Sequence, residues 1–207
     1  MPKIVSPSFT IESQIDGKKI LREIELFARN CYKSEGKIID DSAEPFIRRL
    51  MNIRPIPHLG IFDHHVVSVR LVIDRGISHE VVRHRIAAYL QESSRYCDYG
   101  KAGEIQVIGI TQHLTNPKSF AVWWQAMVDA ERAYNTLREL GERPEIARSV
   151  LPNSLKTEII VTMNLTSWRN FFKKRTDTKA HPQMREIAVP LLAEFQRLIP
   201  AVFDDIV

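Results

Sequence analysis

Residues 83 to 96 form a segment rich in side chains that bind anions. It reads Arg-His-Arg-Ile-Ala-Ala-Tyr-Leu-Gln-Glu-Ser-Ser-Arg-Tyr. Arginine presents paired donors in one plane, which suits phosphate and the edges of heterocycles, and serine and glutamine add hydrogen bonds without charge. The same composition would suit a solvated basic helix face, so charge alone leaves both interpretations open. The surrounding elements and the order of the residues must decide between them.

Hydrophobic periodicity predicts the elements around this segment. Strands are predicted over residues 3–12, 66–73, 105–110 and 157–164, and helices over 16–32, 45–52, 116–141, 144–150 and 183–198. Two further helices are predicted to begin at the N-caps Ser78 and Ser167, the first carrying Arg83 and the second running through Arg175. The elements interleave without regular βαβ units, which predicts a mixed α/β (α+β) fold with a largely antiparallel sheet and flanking helices. We expect one domain over residues 1–207, since no repeat or linker interrupts the pattern.

Composition is typical of a soluble globular protein. The 207 residues are 44% hydrophobic and 26% charged, with a formal net charge of +4. This charge suits anionic small ligands and is low for a protein that coats nucleic acid. We expect a cytoplasmic protein, because no signal-peptide pattern or bilayer-spanning apolar run is visible. The two cysteines, Cys31 and Cys97, do not form a CxxC pair and are too few for a disulfide scaffold.

Several familiar catalytic motifs are missing from the sequence. The glycines form neither GxGxxG nor a GKS/GKT phosphate loop, and no G-x-S-x-G sequence occurs. Five histidines crowd one stretch but lack HExxH spacing, and Arg83 stands where the second ligand would follow His79. Clustered arginines would also repel a divalent cation, so no metal site is expected.

The order of the motifs carries a family resemblance. Arg83-His84-Arg85 is followed after seven residues by Ser93 and then by Arg95-Tyr96. Three other blocks occur in matching order, at residues 75–82, 147–152 and 164–183. Together they resemble the flavin-dependent thymidylate synthases (the ThyX family). Asp63-His64, which stands where the family usually has Glu-His, is a weaker match.

The resemblance implies a reaction, cofactors and an assembly. Such enzymes convert dUMP to dTMP, taking a methylene group from 5,10-methylenetetrahydrofolate and reducing equivalents from NADPH through noncovalently bound FAD. Members are homotetramers whose active sites are shared between subunits, so a chain of this size needs no separate nucleotide domain. Because reduced flavin delivers the hydride, neither Cys31 nor Cys97 is expected to act as a nucleophile.

The resemblance also implies individual roles. Arg175 is expected to face the uracil edge and stabilise negative charge on N3 and O2 as the catalytic residue, and Arg148 is expected from a neighbouring subunit. The Arg83–Arg85 triplet is expected to serve both ligands, because neighbouring side chains on one helix point to different sides. The dUMP-binding residues are expected to be Glu80, Arg83, Gln91, Ser93, Ser94, Arg95, Arg148 and Arg175. The FAD-binding residues are expected to be His64, Arg83, His84, Arg85, Gln91, Asn164 and Asn170.

Two departures from the family pattern keep other functions open. Ala88 stands where serine is common and Leu90 where a polar residue is common, which removes hydrogen-bonding capacity beside the flavin. A related flavoenzyme that modifies a pyrimidine nucleotide differently, for example by leaving a hydroxymethyl group, is therefore one alternative. The other is a nucleic-acid-binding module with arginines on phosphates and tyrosines for stacking. Taken singly, each arginine also suits a surface salt bridge, and Asn164 and Asn170 suit turn or cap roles.

Overall fold

The computed structural model describes residues 1–101 and 104–207 of the chain. Among these residues, no helix combines the length and the apolar character that crossing a membrane requires. The strands are β1 (Lys3–Val5), β2 (Ser8–Ile11), β3 (Val66–Asp74), β4 (Ala88–Gln91), β5 (Gln106–Ile108) and β6 (Lys156–Asn164). The helices are α1 (Gly17–Asn30), α2 (Ala43–Met51), α3 (Arg75–Val81), α4 (Lys118–Glu139), α5 (Pro144–Ala147), α6 (Leu165–Arg175), α7 (Pro182–Leu198) and α8 (Pro200–Phe203). Short 3-10 turns lie at Glu35–Lys37, Leu59–His64, Thr111–His113 and Arg148–Val150.

The strands form two sheets. Four of them make an antiparallel sheet in the order β2-β3-β6-β4, so β4 is an edge strand. The other two, β1 and β5, pair in parallel with Ile4 opposite Val107. The prediction of a mixed fold with a largely antiparallel sheet is confirmed.

One compact unit comprises residues 1–10, 70–83 and 89–160. Its core lies where strand β5 packs on helix α4, because β5 presents Val107 and α4 presents Met127 to the same apolar cluster. Strand β6 begins beside this cluster, and its side chains alternate between buried and half-buried positions over residues 156–164, as expected for a strand with one face in a core. This unit contains β4 from Tyr89 onward and the turn that follows it, and hence most of the predicted dUMP-binding residues.

The other compact unit comprises residues 11–69, 84–88 and 161–207. Its core is a cluster of aromatic rings centred on Trp168, which is fully buried and whose Nε1 donates to the Val67 carbonyl oxygen at 3.0 Å. The ring centroids of Phe171 and Phe195 lie 5.4 and 5.3 Å from that of Trp168. Such offset and edge-on arrangements stabilise a core beyond the area they bury. Helix α6 is thereby held in place, and it carries Asn170 and Arg175. The prediction of a single domain over residues 1–207 stays a prediction.

Several predicted boundaries were wrong for local physical reasons. The predicted strand over residues 3–12 is two strands, β1 and β2, separated at Ser6-Pro7, because proline has no N–H to give to a ladder. The caps predicted at Ser78 and Ser167 lie three to four residues earlier, at Asp74 and Asn164. Strand β4 was not predicted at all, and Gln91 at its end was expected in a loop.

Candidate active site

Helix α3 and strand β4 hold the side chain of Gln91. Asp74 begins α3, because its Oδ1 accepts a hydrogen bond from the Ile77 N–H at 2.6 Å. Ser78, predicted as the cap, is instead fully buried within the helix. The Gln91 Nε2 donates to the Ser78 Oγ at 2.9 Å and to the Thr157 Oγ1 at 3.2 Å. Both bonds use the amide donor, so the group that Gln91 offers to a ligand is its carbonyl oxygen.

The Arg83–Arg85 triplet lies in the irregular segment between α3 and β4, not on a helix as predicted. The last helical turn ends where the Arg83 N–H reaches the carbonyl oxygen of half-buried Glu80 at 3.3 Å. Arg83 and Arg85 are exposed, whereas His84 between them is only 8% exposed. The triplet therefore does not follow the helical periodicity that we expected, since it lies in a turn and irregular backbone.

Ser93, Ser94 and Arg95 form a turn directly after β4. The Ser93 carbonyl oxygen accepts from the N–H groups of Tyr96 and Cys97 at 3.1 and 2.9 Å, which closes the turn. Ser94 is buried, and Arg95 is exposed with its guanidinium carbon 5.6 Å from the centre of the Tyr96 ring. The turn thus places two hydroxyl groups and one arginine at consecutive positions.

Arg148 lies beside this turn in the same chain. It follows α5 in a 3-10 turn, is exposed, and its Nη1 donates to the Ser94 Oγ at 3.2 Å. We expected Arg148 to serve a neighbouring subunit, but here it contacts the Ser93–Arg95 turn of its own chain. Arg148 thus lies against the turn that also carries Arg95, and arginines provide charge-assisted donors of the kind that phosphate binds.

In the second unit, His84 and Arg175 form a hydrogen bond. The Arg175 Nε donates to the His84 Nε2 at 3.0 Å. Because arginine has no acceptor, Nε2 must be the unprotonated nitrogen and the proton of the neutral ring resides on Nδ1. The imidazole also packs against Phe171, with ring centroids 5.0 Å apart. Burial, and then the charges of Arg175 and Lys174, lower the pKa of His84 to about 4.

Asn164 is committed to structural bonds. Its Oδ1 accepts from the Ser167 N–H at 2.7 Å, which makes it the N-cap of α6, and its Nδ2 donates to the Asp63 Oδ1 at 3.0 Å. The cap interpretation, left open above for Asn164, is therefore correct. The amide of Asn170, one and a half turns further along α6, is exposed.

His64 ends the Leu59–His64 turn and is exposed, with its ring centroid 5.4 Å from that of Phe27. The second unit thus brings His84 and Arg175 into contact and exposes His64, Arg85 and Asn170.

Sequence reasoning missed three supporting residues here and in the first unit: Asp63, Thr157 and Phe171. Of these, only Phe171 carried a signal, since it stands four residues before Arg175 and so shares its helix face.

The His84–Arg175 pair predicts a pH dependence of stability. The unfolded histidine titrates near pH 6.5 and the folded one near 4, so between these values the unfolded state binds more protons. The pair's contribution is therefore present above pH 6.5, falls as the pH is lowered, and is lost below about 4. We expect wild-type protein to lose roughly 2 kcal/mol more unfolding free energy between pH 7 and pH 5 than His84→Gln, whose amide oxygen accepts the same bond without titrating. Urea unfolding at the two pH values measures this difference, and parallel losses would contradict it.

Comparisons with known proteins agree on one family. The model of the family described as "Thymidylate synthase complementing protein" matches residues 15–201. A flavin-dependent thymidylate synthase of Geobacter sulfurreducens is 35% identical over 188 residues, covering 88% of this chain and 80% of the relative. One from Corynebacterium glutamicum is 28% identical over 211 residues, covering 93% of this chain and 81% of the relative.

Solved structures show the same fold. Thymidylate synthase X (ThyX) from Helicobacter pylori, solved with FAD and dUMP, superimposes with a TM-score of 0.77 at 21% identity, covering 96% of this chain and 98% of that chain. The UMP/dUMP methylase PolB from Streptomyces cacaoi, bound with 5-Br dUMP, gives a TM-score of 0.80 at 19% identity, covering 98% and 95%. At these identities the likeness concerns the fold alone, and it confirms the predicted ThyX-like architecture. The chain itself belongs to the thymidylate synthase complementing protein family, the family of the flavin-dependent thymidylate synthases.

Proposed function

We propose that this protein is a flavin-dependent thymidylate synthase that converts dUMP to dTMP, with 5,10-methylenetetrahydrofolate as the carbon donor and NADPH as the reductant. It is accordingly an enzyme of the methyltransferase type. Within a member of this family, the observation that carries the proposal is the contact of Arg148 with Ser94 beside Arg95. That group of donors is suited to the phosphate of a nucleotide monophosphate.

The first unit would bind dUMP. Ser93, Ser94, Arg95 and Arg148 would hold the phosphate, because the turn and the neighbouring 3-10 turn present hydroxyl and guanidinium donors together. The remaining dUMP-binding residues that we propose lie on α3, on β4 and in the segment that joins them: Glu80, Arg83 and Gln91. The Gln91 amide is already oriented by Ser78 and Thr157, so little rotamer entropy would be lost when its oxygen meets a ligand.

Arg175 is the proposed catalytic residue. Its Nε–H bond to neutral His84 fixes the plane of the guanidinium, and the acceptor adds no charge that would cancel the positive charge of the arginine. A pre-oriented cation at the uracil edge would stabilise negative charge that develops on N3 and O2 during reaction. His84 has a lowered pKa, so it stays neutral at neutral pH and keeps this orientation.

The second unit offers side chains that fit noncovalent FAD, the cofactor of the family. Exposed His64, Arg85 and Asn170 supply a ring, a cation and an amide that suit an anionic dinucleotide. Bound flavin would supply the hydride of the reaction. We propose that His84, Arg83 and Gln91 border this cofactor, and that Asn164 contributes by beginning the helix that carries Asn170.

A pyrimidine-modifying flavoenzyme with a different product is the second candidate. It is favoured by Ala88 and Leu90, which stand on the exposed face of edge strand β4, Leu90 being 74% exposed. The nucleic-acid-binding alternative loses its basis, because the basic residues that it would place along one helix face lie in an irregular segment and a turn.

Product identification tests the proposal. Purified protein is incubated with dUMP, methylenetetrahydrofolate, NADPH and FAD, and the nucleotide product is analysed by mass spectrometry. Formation of dTMP supports the proposal, and 5-hydroxymethyl-dUMP would support the second candidate. Unchanged dUMP, from protein that binds both FAD and dUMP, would overturn both.

We also propose a cytoplasmic homotetramer with shared active sites. The cytoplasm suits Cys31 and Cys97, which are both free in the structure.

Light scattering should give the mass of four chains, and a monomer at working concentration would contradict the shared site. Mixing inactive Arg148→Ala and Arg175→Ala subunits should then restore part of the activity, because some sites would combine one intact residue from each partner.

The two asparagines of α6 should separate cofactor binding from stability. Asn170→Ala should weaken FAD binding about tenfold, as expected for one lost hydrogen bond to a charged ligand, with unchanged unfolding free energy. Asn164→Ala should instead lower the unfolding free energy by roughly 0.5–2 kcal/mol through loss of the cap. Quenching of FAD fluorescence and urea unfolding provide the two measurements. The opposite pattern would remove Asn170 from the proposed flavin site.

Two of the proposed ligand-binding arginines, Arg175 and Arg95, should affect different constants, namely kcat and the Kd of dUMP. Arg175→Ala should lower kcat on the order of 10²–10³-fold while dUMP still binds, because its interaction strengthens as charge develops. Arg95→Ala should mainly raise the Kd of dUMP, since the phosphate contact is the same in the ground and transition states. Lys174→Ala is the matched control, because it removes a neighbouring positive charge from the same helix turn. A loss of kcat in Lys174→Ala equal to that in Arg175→Ala would contradict the specific role of the guanidinium.

A further inference from the structure

Glu92 joins strand β4 to the Ser93–Arg95 turn and is bonded through its backbone and its side chain. Its N–H donates to the Glu158 carbonyl oxygen at 2.8 Å, and its own carbonyl oxygen accepts from the Arg75 Nη2 at 2.8 Å. Its Oε1 accepts from the Tyr99 hydroxyl at 2.8 Å, and its Oε2 accepts from the Lys156 Nζ at 3.2 Å and from the Glu158 N–H at 3.3 Å. All of these residues belong to the first compact unit.

The carboxyl group of Glu92 lies in a largely enclosed position. Its side chain is 18% exposed and that of Lys156 is 16% exposed. A carboxylate withdrawn from water is stable only when it is paired and hydrogen-bonded. Lys156 provides the opposite charge, and Tyr99 provides a hydroxyl donor whose pKa is raised by burial and then by Glu92 itself. Tyr99 therefore remains protonated and keeps donating at any physiological pH.

These bonds fix the point at which the turn begins. Both backbone groups of Glu92 are held, one by strand β6 and one by helix α3. The next residue, Ser93, accepts the two hydrogen bonds that close the turn. Ser94 and Arg95 lie within this turn, so their orientation depends on where residue 92 is held.

Charge also argues for this anchoring role and against direct contact with a ligand. A bare carboxylate next to a phosphate would repel it, which would weaken binding. Lys156, which also contacts the Glu158 Oε1 at 2.6 Å, offsets part of the charge of the Glu92 carboxylate, and the Tyr99 hydroxyl occupies one of its oxygens. A strongly bonded acidic residue can then stand one position before a phosphate-binding turn without opposing its ligand.

We infer that Glu92 is a positioning residue for phosphate binding: through Tyr99, Lys156, Arg75 and Glu158 it fixes the Ser93–Arg95 turn in the orientation that receives the nucleotide phosphate. This inference rests on the proposed binding of dUMP by that turn. It assigns roles to Glu92, Tyr99 and Lys156, none of which the motif analysis singled out.

The test compares dUMP with deoxyuridine, which lacks the phosphate. Calorimetric titrations measure both Kd values for wild type, Glu92→Ala, Glu92→Gln and Tyr99→Phe. Glu92→Ala should weaken dUMP binding about tenfold and leave deoxyuridine binding unchanged, because only the phosphate contacts depend on the turn. Glu92→Gln should lie between wild type and Glu92→Ala, since it retains one acceptor but not the charge. Tyr99→Phe removes a single hydroxyl and serves if the alanine variant does not fold.

Glu131→Gln is the matched control. Glu131 is a buried carboxylate of the same unit that accepts from the Ile105 N–H at 3.0 Å and has no part in the turn. It should alter thermal stability without changing the ratio of the two Kd values. Equal weakening of dUMP and deoxyuridine in Glu92→Ala and Tyr99→Phe, or no weakening in either, would overturn the inference. Failure of wild-type protein to bind dUMP would instead overturn the proposed function on which the inference rests.

Discussion

A hydrogen bond between a guanidinium and a neutral imidazole constrains the second unit more than any other polar contact that it contains around the site. Arg175 can only donate, so His84 must accept, and it can accept only while it is neutral. Burial against Phe171 and the charges at the end of α6 enforce that state by lowering the pKa of the ring. The basic residues themselves are stable there because cations are favoured at the C-terminal end of a helix. The histidine of the triplet is thus neutral at neutral pH and orients the arginine through its unprotonated Nε2.

In the first unit, the Ser93–Arg95 turn must be held in one orientation so that it can receive an anion. Hydroxyl and guanidinium donors must converge on one point, yet like charges repel when no ligand is bound. The buried Ser94 hydroxyl accepts from Arg148, and the guanidinium carbon of Arg95 lies 5.6 Å from the centre of the Tyr96 ring. Glu92, the residue before the turn, is bonded to Lys156 and Glu158 of β6 and to Arg75 of α3. The donors that we assign to the ligand are therefore held by residues that do not touch it.

The sequence predicted the long elements well, because periodicity reports which face of an element is buried. Helix α4 and strands β3 and β6 were predicted to within two residues at each end. The errors in the predicted helix starts occur where two nearby residues both have side chains that can cap a helix. Ser78 and Ser167 are good caps by type, but Asp74 and Asn164 lie about one turn earlier and accept from the N–H groups of Ile77 and Ser167, so each helix begins earlier. The helix was extended through Arg83–Arg85 because no glycine or proline marks its end, whereas α3 ends at Val81 with Val82 as its C-cap.

Contacts between residues that are distant in the sequence could not be predicted either. Nothing in the local pattern indicates that Gln91 meets Thr157 or that Asp63 meets Asn164, because these contacts depend on strand order and helix placement. The family motifs supplied the proposed ligand-binding residues as a set, but Thr157, which bonds to Gln91, lies outside these motifs. Glu92 stands inside the signature and still escaped notice, since an acidic residue is an unexpected neighbour for a phosphate until its cationic partner is seen.

Strand β4 explains why the departures from the family pattern leave the bonds of Gln91 in place. Successive side chains of a strand point to opposite faces. Tyr89 and Gln91 face α3, where the Tyr89 hydroxyl donates to the Val81 carbonyl oxygen at 2.9 Å. Ala88 and Leu90 are exposed on the other face. Replacing polar residues by apolar ones there leaves the bonds of Gln91 untouched and changes only the surface that a bound partner meets. Gln91, which we propose to bind the nucleotide, and the departures Ala88 and Leu90 therefore lie on opposite faces of one short edge strand.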